Sequence, residues 1–225
     1  MKRSEINKLI TRAKAFFAEQ KFLLPPFAHW SPSEWTRKGP EADEIRRNRL
    51  GWDLTDFGSG DFARQGLLLF TLRNGNAKDP QNAKAYAEKI MIVEPGQLIP
   101  YHFHWVKTED IIVRGGGKLV VELRNSDARE EFTDEPVRVR CDGVERSVLA
   151  GGTLVLGPGE SVTLTPRLYH AFHSMAGTTR VLVGEVSSVN DDATDNRFKD
   201  PIGRFPKIEE DEAPLHYLCT EYPKG

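Results

Sequence analysis

Between Trp52 and about Glu185 the chain is a succession of short segments rich in β-branched and apolar residues, each bounded by turn-forming residues. The predicted strands are residues 66–72, 86–93, 98–104, 110–113, 118–123, 137–140, 146–149, 153–156, 161–164, 170–174 and 179–186. Pairs such as Pro95-Gly96 and Asp142-Gly143 mark turns between them. Because short strands follow one another without intervening helices, the pattern favours an antiparallel barrel or sandwich over a parallel α/β sheet.

The sequences on either side of this β-rich region have a different character. Residues 4–20 place apolar side chains at helical spacing, which predicts a helix with Ser4 as its N-cap. Residues 43–49 and a segment beginning at Pro32 predict short helices. We expect one domain in three parts. These are a helical extension packed on the barrel (1–50), the barrel (52–187) and an irregular C-terminal arm (188–225).

Composition narrows the class of protein. The formal net charge is −2 and the basic residues are scattered, which argues against a nucleic-acid partner. No stretch approaches the roughly 20 apolar residues of a membrane helix. Cys141 and Cys219 match no metal or redox spacing, and the first residues lead into an amphipathic pattern without a signal-type apolar run. We therefore expect a cytoplasmic protein with two free thiols, acting on a small molecule.

The strongest candidate site lies in the segment 96–109. Residues i and i+2 of a strand face the same side, so His102 and His104 project into one space. Two imidazoles at this spacing can share one metal ion, and Glu109 can return on the next strand as an anionic ligand. The sequence therefore predicts a metal site.

The same segment resembles the first cupin motif, G-x5-H-x-H-x4-E-x6-G, at every position from Gly96 to Gly116. This resemblance implies a double-stranded β-helix, or jelly-roll, barrel and therefore an all-β dominated fold. It also implies one more histidine ligand from a second motif, P-x-G-x-x-H, for which the candidate is His170. Here Thr165 replaces the proline and Arg167 replaces the glycine. His173 is the rival candidate, but the motif register selects His170.

A more specific resemblance is to the D-lyxose isomerases, a cupin family of similar chain length. It rests on the stretches 51–60, 86–93, 102–114, 184–187 and 189–192. The family implies interconversion of D-lyxose and D-xylulose, side activity on D-mannose and D-fructose, a preference for Mn²⁺, and a homodimer.

Aldose–ketose isomerisation through an enediol needs a Lewis acid, a base and polar groups for the sugar hydroxyls. Glu185 is our first candidate for the base, since it shares a strand face with Val181 and Val183 and should have a raised pKa there. Lys107, between His104 and Glu109, is expected to bind a sugar oxygen or to neutralise the enediolate.

Three further residues are candidates for binding the substrate. Lys89 lies in an apolar strand and should need a partner such as Glu88, or else should serve the site. Asp195 and Arg197 belong to the polar segment after the barrel, which could close over its mouth.

Two other functions fit the same ligand set. A non-haem iron dioxygenase uses similar ligands, because ligand type alone does not fix the metal. A non-catalytic sugar-binding cupin would hold the metal for structure only. Oxygen consumption, or sugar binding without turnover, would distinguish these two from an isomerase.

Overall fold

The computed structural model describes residues 1–76, 79, 84–191, 194–203 and 207–224. The first fifty residues form the helices α1 (Arg3–Glu19), α2 (Pro32–Trp35) and α3 (Asp43–Arg47), with 3₁₀ turns at Pro26–His29 and Pro40–Ala42. Within the described ranges, no helix combines the length and apolar character needed to cross a bilayer.

Strands dominate the rest of the chain. They are β1 (Gly51–Thr55), β2 (Leu67–Arg73), β3 (Tyr86–Val93), β4 (Leu98–Phe103), β5 (Glu109–Gly116), β6 (Leu119–Arg124), β7 (Val137–Cys141), β8 (Val144–Val148), β9 (Thr153–Leu156), β10 (Ser161–Leu164), β11 (Tyr169–Ser174), β12 (Val181–Ser188) and β13 (Arg197–Phe198). One sheet has the order β1-β2-β3-β12-β5-β10-β7-β8, and the other has the order β13-β4-β11-β6-β9. Each pairing between these strands is antiparallel, as the turn-rich sequence pattern predicted.

The alternation of side chains along each strand divides the apolar residues between two cores. In β12, Val181 and Val183 belong to the cluster enclosed by the two sheets. Leu182 points the other way and packs with Ile6 and Phe17 of α1. The interior face of β12 therefore also carries Glu185, which is buried.

The N-terminal helix is tied to the C-terminal arm by charged groups. Ser4 was expected to cap α1, but the N-cap is Lys2. The Ser4 backbone N–H and hydroxyl instead donate to the Asp211 carboxylate at 2.9 and 2.8 Å. Arg3 is 2% exposed and donates to Glu210 and Glu221. The predicted cap was wrong because the polar partner of Ser4 comes from the far end of the chain.

Two strands were missing from the sequence prediction, β1 and β13. The strand β1 pairs with β2 along its full length, from Gly51 opposite Thr71 to Thr55 opposite Leu67. The two-residue strand β13 pairs Arg197 with Phe103 and Phe198 with His102. The segment 190–197, expected to be irregular, therefore ends in a strand of the barrel. The division of the chain into extension, barrel and arm stays a prediction.

Candidate active site

Three buried histidines meet inside the barrel. His102 lies in β4 and His104 directly after it, while His170 lies in β11 and is the register partner of His102. The Nε2 atoms of His102 and His170 are 3.1 Å apart. One ring nitrogen from each of the three residues lies within 4.8 Å of the others, so the cluster can hold a metal ion.

The second ring nitrogen of each histidine is fixed by a backbone carbonyl. Nδ1 of His102 lies 2.8 Å from the Pro100 carbonyl oxygen, and Nδ1 of His170 lies 3.0 Å from that of Leu168. Nδ1 of His104 lies 2.6 Å from the carbonyl oxygen of Asp195. Since each Nδ1–H donates to a carbonyl, each Nε2 keeps its lone pair for the centre of the cluster.

Two observations fit this cluster to a metal ion. Among the described residues, Nε2 of His104 is a buried nitrogen without a hydrogen-bond partner, a costly state for a polar atom unless something binds it. Burial, together with the neighbouring His170 and His104, holds the pKa of His102 well below its usual value. The ring of His102 is therefore neutral at neutral pH, as metal coordination requires.

Glu109 supplies a carboxylate to the same centre. It begins β5, and its Oε1 lies 3.1 Å from His170 Nε2 while its Oε2 lies 3.5 Å from His104 Nε2. Burial acts to raise the pKa of Glu109, but Lys107 and His104 outweigh it and hold that pKa well below the usual range. Glu109 is therefore anionic beside the three imidazoles.

His173 lies apart from the cluster. It is an odd number of residues from His170 on the same strand, so it points to the other face of the sheet. Its Nε2 lies 3.6 Å from Oε1 of Glu122 at the partly exposed outside of the barrel. The structure thus brings His170, and not His173, together with His102 and His104.

Arg167, which stands where the second motif has a glycine, has a backbone conformation that favours glycine. Its φ angle is +65°, in the left-handed region that disfavours side chains other than glycine. The Arg167 N–H donates to the His104 carbonyl at 2.8 Å, and its guanidinium carbon lies 5.5 Å from the Phe103 ring centroid. These contacts offset part of the strain and preserve the turn before His170.

A row of buried charges continues from Glu109 into the barrel. Lys107 Nζ lies 2.7 Å from Glu109 Oε2 and 2.8 Å from Glu185 Oε1. Lys89 lies opposite Glu185 in the β3–β12 ladder, with its Nζ 3.4 Å from the same Oε1. The four side chains alternate in sign, so each buried charge has an opposite neighbour.

This arrangement corrects two expectations. Burial acts to raise the pKa of Glu185, but the charges of Lys107 and Lys89 outweigh this effect. The pKa of Glu185 is therefore lowered, and the prediction of a raised pKa was wrong. Glu88, the suggested partner of Lys89, instead pairs with Arg73 at 3.1 Å. Lys89 points the opposite way from Glu88 along β3 and reaches Glu185.

These groups line one cavity in the barrel. Its polar lining comprises Asp53, Thr55, Lys89, His102, His104, Lys107, Glu109, Glu185 and Asn196. Its apolar lining comprises Leu54, Phe57, Leu67, Leu69, Met91, Ile99, Ile111, Phe172 and Phe198. A cavity lined both by convergent polar groups and by apolar side chains suits a small polar substrate.

Asp195 and Arg197 are engaged outside that cavity. The Asp195 carboxylate accepts from the backbone N–H groups of Val106 and Lys107, at 2.9 and 3.0 Å. The Arg197 guanidinium donates to Glu130 at 2.9 Å. Neither residue is part of the cavity lining. Their predicted contacts with the sugar stay predictions.

The family model for D-lyxose isomerase matches residues 1–222. The chain belongs to the D-lyxose isomerase family. It is therefore a sugar isomerase, which confirms the expected class of aldose–ketose isomerases. The dioxygenase and non-catalytic alternatives receive no support from this membership.

Relatives of known name agree with the assignment to the D-lyxose isomerase family. The D-lyxose/D-mannose isomerase of Serratia proteamaculans is 51% identical over 99% of this chain and 98% of its own length. The D-lyxose ketol-isomerase of Cohnella laeviribosi is 30% identical over 71% of this chain and 82% of its own length. The L-ribose isomerase of Cellulomonas parahominis, solved without ligand, superposes with a TM-score of 0.62 at 18% identity, covering 93% of this chain and 98% of that one. This structural likeness confirms the expected cupin fold.

Sequence reasoning missed two residues at the site of this D-lyxose isomerase family member. Asn190 Oδ1 accepts from Lys89 Nζ at 2.8 Å and from Lys107 Nζ at 3.3 Å. Phe198 lines the cavity and stacks on His102, with ring centroids 5.2 Å apart. Asn190 belongs to the stretch 189–192, on which the family resemblance partly rests. The residues next to Asn190 in the sequence do not indicate that its side chain contacts two lysines. The strand β13 has only two residues, which is too short to show the alternation of apolar and polar side chains by which strands are predicted.

Proposed function

We propose that this chain interconverts D-lyxose and D-xylulose, with D-mannose and D-fructose as a second pair, and that it uses a divalent ion, Mn²⁺, bound by His102, His104, Glu109 and His170. The choice of sugars is supported by the names of the relatives that match almost the whole chain. The observation that carries the metal proposal is the cluster of three buried histidines, in which one ring nitrogen of each lies within 4.8 Å of the others, with the ionised carboxylate of Glu109 3.1 Å from one of them and 3.5 Å from another.

The donor set suits a borderline divalent ion. Three neutral imidazoles and one carboxylate would hold such an ion and would leave it with net positive charge. An ion held there supplies Lewis acidity, which stabilises negative charge on the oxygens at C1 and C2.

The chain's own residues supply the proton transfer. We assign Glu185 as the group that takes the proton from C2 of the aldose and returns it to C1 of the enediolate, while the hydroxyl proton on O2 moves to O1. It is ionised, since Lys107 and Lys89 lower its pKa, and it lines the same cavity as His102 and His104. Lys107 lies between Glu185 and Glu109, so its ammonium can donate to the sugar oxygen that becomes negative.

The test of this function is a panel of aldoses incubated with Mn²⁺-loaded protein and assayed for the ketose. We expect D-lyxose to be converted with the highest kcat/KM and D-mannose with a lower one. The same panel after chelation should show little turnover, and activity should return when Mn²⁺ is added. Conversion of none of the aldoses by the metal-loaded protein would contradict the proposal.

We also propose that the protein works as a cytoplasmic homodimer. Both cysteines, Cys141 and Cys219, are buried free thiols, which suits a reducing compartment. Several large apolar side chains are exposed, among them Val144 and Leu149 at the end of the larger sheet, and a second subunit can cover such groups.

A further inference from the structure

The turn that joins β4 to β5 carries two of the proposed metal ligands at its ends. His104 begins it and Glu109 ends it, and Lys107 lies between them. The position of this turn therefore fixes the distance between two ligands and the place of the ammonium group beside Glu185.

Asp195, from the C-terminal segment, binds the middle of the turn. The two carboxylate oxygens of Asp195 accept from the consecutive N–H groups of Val106 and Lys107, at 2.9 and 3.0 Å. Hydrogen bonds to an ionised acceptor are stronger than those between neutral groups. The side chain of Asp195 thus accepts the backbone hydrogen bonds that, within a sheet, the carbonyl groups of a neighbouring strand would accept.

The backbone of Asp195 orients a ligand as well. His102 and His170 are oriented locally, because each has its Nδ1 beside the carbonyl of the residue two positions earlier, Pro100 and Leu168. His104 has its Nδ1 beside the carbonyl oxygen of Asp195, 91 residues away in the sequence and 2.6 Å away in space. Of the three histidines, His104 alone relies on a distant segment for its tautomer.

We propose that Asp195 is a positioning residue that orients His104 and Lys107 through the β4–β5 turn, and that it does not bind the sugar. This inference rests on the proposed metal site. Its physical reason is that both carboxylate oxygens and the carbonyl oxygen of Asp195 are already directed at groups of the turn. Loss of the carboxylate would release the segment that carries the carbonyl beside His104.

The test compares Asp195→Asn and Asp195→Ala with wild type, using Asp200→Asn as the matched control, since Asp200 is an exposed residue of the same segment. Mn²⁺ affinity is measured by titrating metal-free protein in a calorimeter, and the environment of the bound ion is recorded by electron paramagnetic resonance. Loss of a group that orients a ligand typically weakens metal binding by about 10–100-fold. We expect Asp195→Ala to fall in that range, Asp195→Asn to lose less because its amide oxygen keeps one of the two bonds, and the control to match wild type.

Kinetics at saturating Mn²⁺ separate positioning from sugar binding. We expect KM for D-lyxose to stay within about twofold of wild type in Asp195→Asn, with the loss appearing in kcat and in metal affinity. Unchanged metal affinity with a raised KM would overturn the proposal in favour of direct sugar contact. Melting curves of the metal-free proteins check folding, and Asp195→Asn, which keeps the shape of the side chain, carries the test if Asp195→Ala does not fold. A wild-type protein that binds no Mn²⁺ would instead overturn the proposed metal site itself.

Discussion

Glu185 is held between two lysines inside the barrel, with Lys107 Nζ at 2.8 Å and Lys89 Nζ at 3.4 Å from its Oε1. If Glu185 carries the proton between C2 and C1 of the sugar, Glu185→Gln should lower kcat by about 10²–10⁴-fold, because an amide cannot accept a proton. Metal content and KM should stay near wild type, since the amide keeps the shape of the side chain. Exchange of solvent deuterium into C2 of D-lyxose should slow by the same factor.

Glu88→Gln is the matched control for that substitution. Glu88 is the neighbour of Lys89 on β3 but pairs with Arg73, away from the cavity. The substitution Glu88→Gln should therefore leave kcat unchanged. Full activity of Glu185→Gln would move the proton-transfer role to another group, with Lys107 as the next candidate for substitution by Met.

The two histidines of β11 offer a second test at the scale of single residues. His170→Ala removes a nitrogen that lies 3.1 Å from both His102 and Glu109, so we expect the protein to lose its metal. His173→Ala removes a ring on the other face of the strand, beside Glu122, and should keep the metal. Elemental analysis after gel filtration measures both. The reverse outcome, metal lost only from His173→Ala, would refute the assignment.

At the scale of secondary-structure elements, α1 depends on the C-terminal arm for its docking. Arg3 is buried at the first turn of α1, where its guanidinium lies 2.7 Å from Glu210 and 2.5 Å from Glu221. Arg3→Ala leaves these carboxylates without their partner, and we expect it to lower the free energy of unfolding by about 1–3 kcal/mol. Arg12→Ala, an exposed change on the same helix, should stay within about 0.5 kcal/mol of wild type. Urea titration followed by circular dichroism measures both.

The contribution of this ion-pair cluster should depend on pH in a defined direction. The hydrogen bond from Arg3 lowers the pKa of Glu210 below its usual value of 4.5. A carboxylate whose pKa is lower in the folded state stabilises the fold above its usual pKa, and this stabilisation is lost as the pH falls through the folded-state pKa. The stability difference between wild type and Arg3→Ala should therefore be full at pH 7 and shrink as the pH falls below 4.5, the usual pKa of the carboxyl group. A difference that stays constant down to pH 3 would contradict this account.

At the scale of the whole molecule, the larger sheet ends in β8, which pairs only with β7 among the described strands. Val144, on that strand, is 63% exposed, and Leu149, just after it, is 77% exposed. An uncovered strand edge with apolar neighbours is a common site of subunit contact. We expect light scattering at micromolar concentration to give twice the chain mass of 25.4 kDa. A mass equal to one chain at that concentration would contradict the homodimer.

The sequence by itself determined those features that depend on neighbours in the chain. Most strands are within one or two residues of their predicted bounds, because side-chain alternation and turn residues are local properties. The shared direction of His102 and His104 follows from the spacing of two residues on one strand, wherever the rest of the chain lies. The choice of His170 over His173 came from the resemblance to the second cupin motif, and not from its neighbours in the chain.

Only the tertiary structure decided the contacts that join distant segments. Lys107 and Glu185 are 78 residues apart in the sequence, yet their contact sets the direction of the Glu185 pKa shift, which burial alone would have reversed. The role of Asp195 likewise appears only once the C-terminal segment lies over the β4–β5 turn. Electrostatic effects and hydrogen bonds depend on distances of a few ångströms between side chains, and the residue pattern along a strand does not specify which remote group fills that space.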